Sequence, residues 1–147
     1  LLLQRAYAKG WGVRHSATMQ PGLLRDQVQV ASACLAAHQL TGDKRYLDVA
    51  VDLAAVLESR YADSMGGYYD AVDPVLGDRT KHVLDDELPG ANAAAARFLA
   101  RLSTVTQDAV YRRRAQATLE AFAGAIPGAG LRATTFLAAA REILGAP

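Results

Sequence analysis

Cysteine occurs once in the 147 residues, at Cys34. A single thiol cannot close an internal disulfide or build a multi-cysteine metal site. Its alanine-rich, helix-like surroundings make it an inert buried thiol rather than a nucleophile. No apolar stretch approaches the ~20 residues that span a bilayer, and no signal peptide is read at the start. The expectation is a reducing, cytoplasmic setting with no membrane partner. Charge of one sign is lacking too: 16 Lys and Arg against 15 Asp and Glu leave a formal net charge of +1. That balance offers nothing to a nucleic acid. The only dense basic run, Arg112-Arg113-Arg114, falls inside a helix and fans around its exposed side at roughly 100° per residue. It reads as a solvated face, not a phosphate site. No cofactor is expected.

What the chain has instead is a repeated helical hairpin. The stretch LAAHQLTGDKRYLDVAVDLAAVL, from Leu35 to Leu57, reads as a helix end, a tight turn and an amphipathic helix. It returns as LARLSTVTQDAVYRRRAQATLEAF, from Leu99 to Phe122. Thr41, Asp43, Tyr46 and Ala50 recur as Thr106, Asp108, Tyr111 and Ala115, each 65 residues on, and Gln27 maps onto Asn92 in the same phase. A hydrophobic fraction of 51% suits closely packed helices. Repeated hairpins bury their apolar faces on one another, so the expected architecture is all-α, stacked helical hairpins. Residues 1–147 are expected to form a single helical domain. The opening LLLQRAYAKG carries no initiator Met, and a fragment of a longer chain is expected.

Taken in order, Leu1 to Lys9 resembles the last turns of a helix, stopped by Gly10 and Gly12. Trp11 to Ser16 fits a short extended segment, and Met19-Gln20-Pro21-Gly22 a turn. A helix over Leu23 to Leu40 carries Leu24, Val28, Ala31 and Leu35 on one face, with His38 near its end, placed to meet carbonyls there. Asp43 is placed to cap a second helix, Lys44 to Tyr61, whose stripe is Tyr46, Val49, Ala50, Leu53 and Leu57. Ala62 to Leu88 is a long connection in which Gly66-Gly67 turns the chain and Tyr68-Tyr69 favours a strand, giving a short hairpin. Asp85, Asp86 and Glu87 then meet the positive end of a third helix, Ala91 to Ser103. A fourth runs from Asp108 to Ala125, and a last from Leu131 to Leu144. Five substantial helices are part of a closed ring of hairpins, not the whole of one.

The pieces GLLRDQ (Gly22–Gln27), TGDKRYL (Thr41–Leu47), GGYYD (Gly66–Asp70) and DDELPGANAAAARFLARL (Asp85–Leu102) together resemble the C-terminal helical region of YyaL-type thioredoxin-domain-containing proteins, the spermatogenesis-associated protein 20 family. That resemblance implies a partial (α/α)6 toroid, similar to N-acylglucosamine 2-epimerase and six-hairpin glycosidase folds. It also implies a thioredoxin-like domain elsewhere in the same full-length chain as a partner. This sequence has no Cys-x-x-Cys, so such redox chemistry lies outside it. His15, His38 and His82 match none of the epimerase acid/base histidines.

In toroids of this fold the loops at one end line a pocket. The segments leading into the helices, Arg25-Asp26-Gln27 and Asp85 to Asn92, with Tyr68, Tyr69 and Asp70, are expected to converge there. Gln27, Tyr68, Asp70, Asp86, Glu87 and Asn92 are the candidate ligand-binding residues. Carboxylates, amides and aromatics suit a small carbohydrate, through paired hydrogen bonds to hydroxyls and stacking on ring faces. Asp26 with Asp86 or Glu87 could split their pKa values for acid/base work. Against this, Gln27 and Asn92 can simply tie down loops, and Asp85 and Asp86 can be helix-end charges, because repeated positions usually serve the repeat. Three classes remain open: a carbohydrate-active enzyme, epimerase or hydrolase; a non-catalytic helical module positioning a thioredoxin-like domain or protein partner; and a scaffold that keeps the fold alone.

Overall fold

The computed structural model describes residues 2–18, 21–73 and 79–145. The chain divides into two compact units, one formed by residues 1–62 with 69–80, the other by 63–68 with 81–147.

In the first unit a short helix α1 (Leu2–Ala6) leads into an antiparallel pair, β1 (Tyr7–Ala8) and β2 (Gly12–Val13), with Tyr7 opposite Val13. The helix expected through Lys9 stops at Ala6 instead. Tyr7 and Ala8 are drawn into the ladder, and the Tyr7 hydroxyl donates to Asp52 at 2.7 Å. The extended segment is shorter than Trp11 to Ser16, because only Gly12 and Val13 have ladder partners. Of the turn expected over Met19 to Gly22, Met19 and Gln20 lie outside the described residues.

Helix α2 (Leu24–Thr41) packs on α3 (Lys44–Val56). Leu24, Val28, Ala31 and Leu35 are all buried, as the spacing requires. The turn between the helices is built as its sequence suggests. Gly42 takes a left-handed φ of 71° and closes α2 on the His38 carbonyl, and Asp43 accepts from Arg45 N at 2.9 Å. The His38 ring lies 3.1 Å from the Asp43 carbonyl. The last turn of the second helix, Leu57–Tyr61, widens to a π-helix, which puts Leu57 and Tyr61 both fully inside. Cys34 is buried, and burial pushes its thiol pKa up.

The second unit repeats the plan. Helix α4 (Ala91–Thr106) packs on α5 (Ala109–Phe122) and on α6 (Thr134–Leu144). Asp108 caps α5 by accepting from Val110 N at 2.8 Å, as Asp43 does for α3. Tyr46 and Tyr111 are both half-buried, so the repeat holds at its tyrosine position. The expected hairpin around Gly66-Gly67 is reduced to a tight turn closed by a single-residue bridge at Tyr68. Asp63 N donates to the Gly67 carbonyl at 3.0 Å, but among the described residues the only two-stranded sheet is β1–β2.

Candidate functional site

In the first unit, the start of α2 is held from outside the helix. Asp26 Oδ2 accepts from Leu23 N at 2.7 Å, and the Asp70 carbonyl accepts from Leu24 N at 2.8 Å. Two backbone donors that no helical carbonyl can reach are thereby satisfied. His15 Nδ1 lies 3.0 Å from the same Asp26 oxygen. Asp70 is half-buried, its carboxylate accepting from Thr80 Oγ1 at 2.8 Å.

Gln27, one turn into α2, is wholly buried. Its Oε1 accepts from Val13 N at 2.6 Å and its Nε2 donates to Val13 O at 2.7 Å. A carboxamide offers a donor and an acceptor side by side, so it can stand in for the neighbouring strand that β2 lacks. Close approach depends on Gly12, whose φ is +91° and whose added Cβ would stand 2.4 Å from Gln27 Oε1. Beside it the buried Tyr61 hydroxyl donates to the Gly22 carbonyl at 2.5 Å, and burial raises the tyrosine pKa well above its usual value.

The second unit contains the same device. Asn92, at the start of α4, is wholly buried. Its Oδ1 accepts from Tyr68 N at 2.7 Å, and its Nδ2 donates to Tyr68 O at 2.9 Å and His82 O at 3.1 Å. Gly67, φ +72°, precedes the clipped residue as Gly12 precedes Val13, and a Cβ on it would meet Asn92 Oδ1 at 3.0 Å. Tyr68 is itself buried. Asp85 joins two helix starts: Oδ1 accepts from Gly90 N at 2.8 Å and Oδ2 from Thr135 N at 2.8 Å. Asp86 and Glu87 are exposed, with Asp86 Oδ1 accepting from Leu88 N at 3.0 Å. Lys81 pairs with Asp63, and its Nζ donates to the Gly66 carbonyl at 2.8 Å.

Of the six candidates, Gln27 and Asp70 thus belong to the first unit, and Tyr68, Asp86, Glu87 and Asn92 to the second. Asn92 and Tyr68 are brought together, through the Tyr68 backbone. Gln27 meets Val13, a residue the sequence reading did not single out. The signal was present but out of phase. Gly12–Val13 and Gly67–Tyr68 repeat at 55 residues, whereas Gln27 and Asn92 repeat at 65. The clip spans 14 residues in the first copy and 24 in the second, so a search at one fixed period misses it.

Each unit also carries a largely apolar groove that none of the six lines. One of about 390 Å³ in the first unit is bordered by Val30, Cys34, Ala37 and Tyr46. Another of about 380 Å³, between α5 and α6, is bordered by Leu119, Phe136 and Ile143, with Arg112 and Glu120 among its polar members. Among the described residues, no group of three or more His, Cys, Asp or Glu could hold a metal ion, and no helix is long and apolar enough to cross a membrane.

The sequence profile of Glycosyl hydrolase family 47 matches residues 28–136. In three dimensions the chain is similar to the GH76 alpha-mannanase of Bacteroides thetaiotaomicron, solved as a selenomethionine derivative. The TM-score is 0.72 at 17% identity, over 91% of this chain and 40% of the mannanase. It is also similar to a family 76 glycoside hydrolase from a bovine strain of the same species, with a TM-score of 0.63 at 18% identity, over 81% of this chain and 27% of that one. The chain therefore spans well under half the length of either enzyme. No curated protein matches it. The likeness establishes the fold class: all-α, built from helical hairpins of the (α/α)6 toroid type, of which the chain covers a part.

Proposed function

This chain belongs to glycosyl hydrolase family 47, and from that premise we propose that it is part of a carbohydrate-active protein, a longer one, that binds and hydrolyses a mannose-type glycan. The observation that carries this reading is the family match over residues 28–136, on a chain that shares its fold with an alpha-mannanase. Glycoside hydrolysis uses a pair of carboxyl groups, one to protonate the leaving oxygen and one to act as base or nucleophile. Asp26 and Asp70 are the candidate carboxylates of the first unit, and Asp86 and Glu87 those of the second. Within its own unit, each buried amide serves the carboxylates indirectly, Gln27 by fixing Val13 in the first and Asn92 by fixing Tyr68 in the second. The reading is tested by titrating the protein with mannose, mannobiose and mannotriose, and by assaying hydrolysis of soluble α-mannan. Asp86→Asn and Glu87→Gln are the variants to compare. Weakened binding or turnover in either supports the assignment; wild-type behaviour in both removes these carboxylates from it.

A second reading is a non-catalytic helical module that positions a protein partner, or the thioredoxin-like domain implied by the YyaL-type resemblance. The two apolar grooves favour it, as does the use of both repeated amides on backbone groups. Pull-down of a separately expressed thioredoxin-like domain, absent when Phe136→Glu is used, distinguishes it from the first.

A further inference from the structure

Trp11 is the only tryptophan in the chain, and it stands at the tip of the β1–β2 hairpin with 55% of its surface exposed. Large aromatic rings are usually well covered, and a ring on a loose loop would fold down onto the protein. This one is held up. The Asp52 carboxylate, on α3, accepts from Gly10 N at 3.2 and 3.0 Å and from the Tyr7 hydroxyl at 2.7 Å. Trp11 N donates to the Ala8 carbonyl at 3.0 Å, and the Gln27 amide fixes Val13 on the other arm. Both arms and the tip of the hairpin are pinned.

The Arg60 guanidinium lies 4.3 Å from the indole centroid. With one face so covered and more than half of the residue's surface still exposed, the open side of the indole is turned to solvent. Arg60 also donates to the Gly10 carbonyl at 3.4 Å, and its own carbonyl accepts from Arg79 Nη2 at 3.2 Å. The Arg79 guanidinium in turn sits 3.9 Å over the Tyr69 ring. The Trp11–Arg60 and Tyr69–Arg79 stacks of the first unit are thus joined through the Arg60 backbone carbonyl.

We propose that Trp11 is a sugar-stacking platform, on which the C–H face of a mannose-type pyranose lies against the indole face that Arg60 leaves open. The proposal rests on the carbohydrate reading above and adds a subsite to it. The chemistry fits the geometry. A rigid aromatic face matches the flat apolar side of a pyranose, and ordering it costs nothing further, because the hairpin is already pinned.

Because the chain has one tryptophan, its emission reports on this position alone. The 147-residue chain is titrated with mannotriose while fluorescence is recorded, and the same titration is followed by calorimetry. A saturable quench or blue shift is expected, with an affinity that matches the calorimetric one. Trp11→Ala should weaken calorimetric binding at least about fivefold, and Trp11→Phe should recover most of the loss. Circular dichroism checks that both variants fold. Calorimetric binding with unmoved tryptophan emission and wild-type affinity in Trp11→Ala overturns the platform and leaves the carbohydrate reading standing. No binding of any mannose oligosaccharide by either method overturns both.

Discussion

A buried carboxamide bonded to both backbone groups of one residue cannot be removed without taking hydrogen bonds from buried backbone. Gln27→Ala takes the acceptor from Val13 N–H in the interior, while the Val13 carbonyl keeps the bond that Gly22 N donates at 2.7 Å, and Asn92→Ala removes the side-chain bonds to Tyr68 N and O. A buried polar group left unsatisfied costs about 1–3 kcal/mol, and each variant is expected to lose about that much in urea melts. Gln27→Glu separates geometry from chemistry, because it keeps the shape and the acceptor but has no donor for the Val13 carbonyl. It should be destabilised as well, and wild-type stability in Gln27→Glu would show that the Nε2 bond contributes nothing. Gly12→Ala attacks the same contact from the other side. The added methyl meets Gln27 Oε1 at 2.4 Å on a backbone already at φ +91°, so it should destabilise rather than stiffen the chain.

At the scale of elements, helix starts carry the most legible chemistry and the largest surprise. Asp108→Ala is expected to cost about 1 kcal/mol, as a single lost N-cap, and Asp43→Ala should act in the same direction. Asp85→Ala should cost more than Asp108→Ala, about twice as much. Its two oxygens serve Gly90 N at the start of α4 and Thr135 N at the start of α6. Equal melting temperatures for the Asp85 and Asp108 variants would show that one of the Asp85 bonds adds nothing. The caps, the apolar stripes and the Gly42 turn could be read from sequence because each depends on residues within four positions of one another. The Gln27–Val13 clip could not, since it pairs groups 14 residues apart through a backbone whose identity is hidden from the side-chain pattern. The π-helical turn at Leu57–Tyr61 was invisible for a related reason. It ends on Tyr61, whose hydroxyl bonds Gly22, 39 residues away, and local propensity does not register such a contact. The candidate site suffered in the same way: Gln27 and Asn92 have the polarity of ligand contacts, and only the fold shows that their polar atoms face buried backbone.

For the molecule as a whole, stability should fall at both ends of the pH scale, through different groups in the two units. In the second unit, Glu142 on α6 accepts from Arg97 at 2.9 Å and from Arg101 at 2.7 and 3.0 Å. Partial burial pulls the Glu142 pKa up, but the two arginines outweigh it and hold the carboxyl below its usual value. A depressed folded pKa means that the unfolded chain takes up the proton first. The stabilisation is therefore complete above the ordinary glutamate value near 4.5 and is lost as pH falls through the folded one. In the first unit, Tyr61 and Tyr7 are shifted the other way. Burial is the main cause for both, with the Asp52 carboxylate adding to it at Tyr7, and both pKa values are raised well above 10. Here the unfolded chain gives up its protons first, so the stabilisation is complete below about pH 10 and is lost as pH rises beyond it. Each such tyrosine should steepen the alkaline limb by up to about 1.4 kcal/mol per pH unit. Urea melts between pH 3 and 11 test both limbs. Tyr61→Phe keeps the ring, lowers stability at neutral pH by the lost bond to Gly22, and should flatten the alkaline limb while leaving the acid one unchanged. Glu142→Gln should do the reverse. An alkaline limb equally steep in Tyr61→Phe would mean that this phenol, although wholly enclosed, ionises as readily in the folded chain as in the unfolded one.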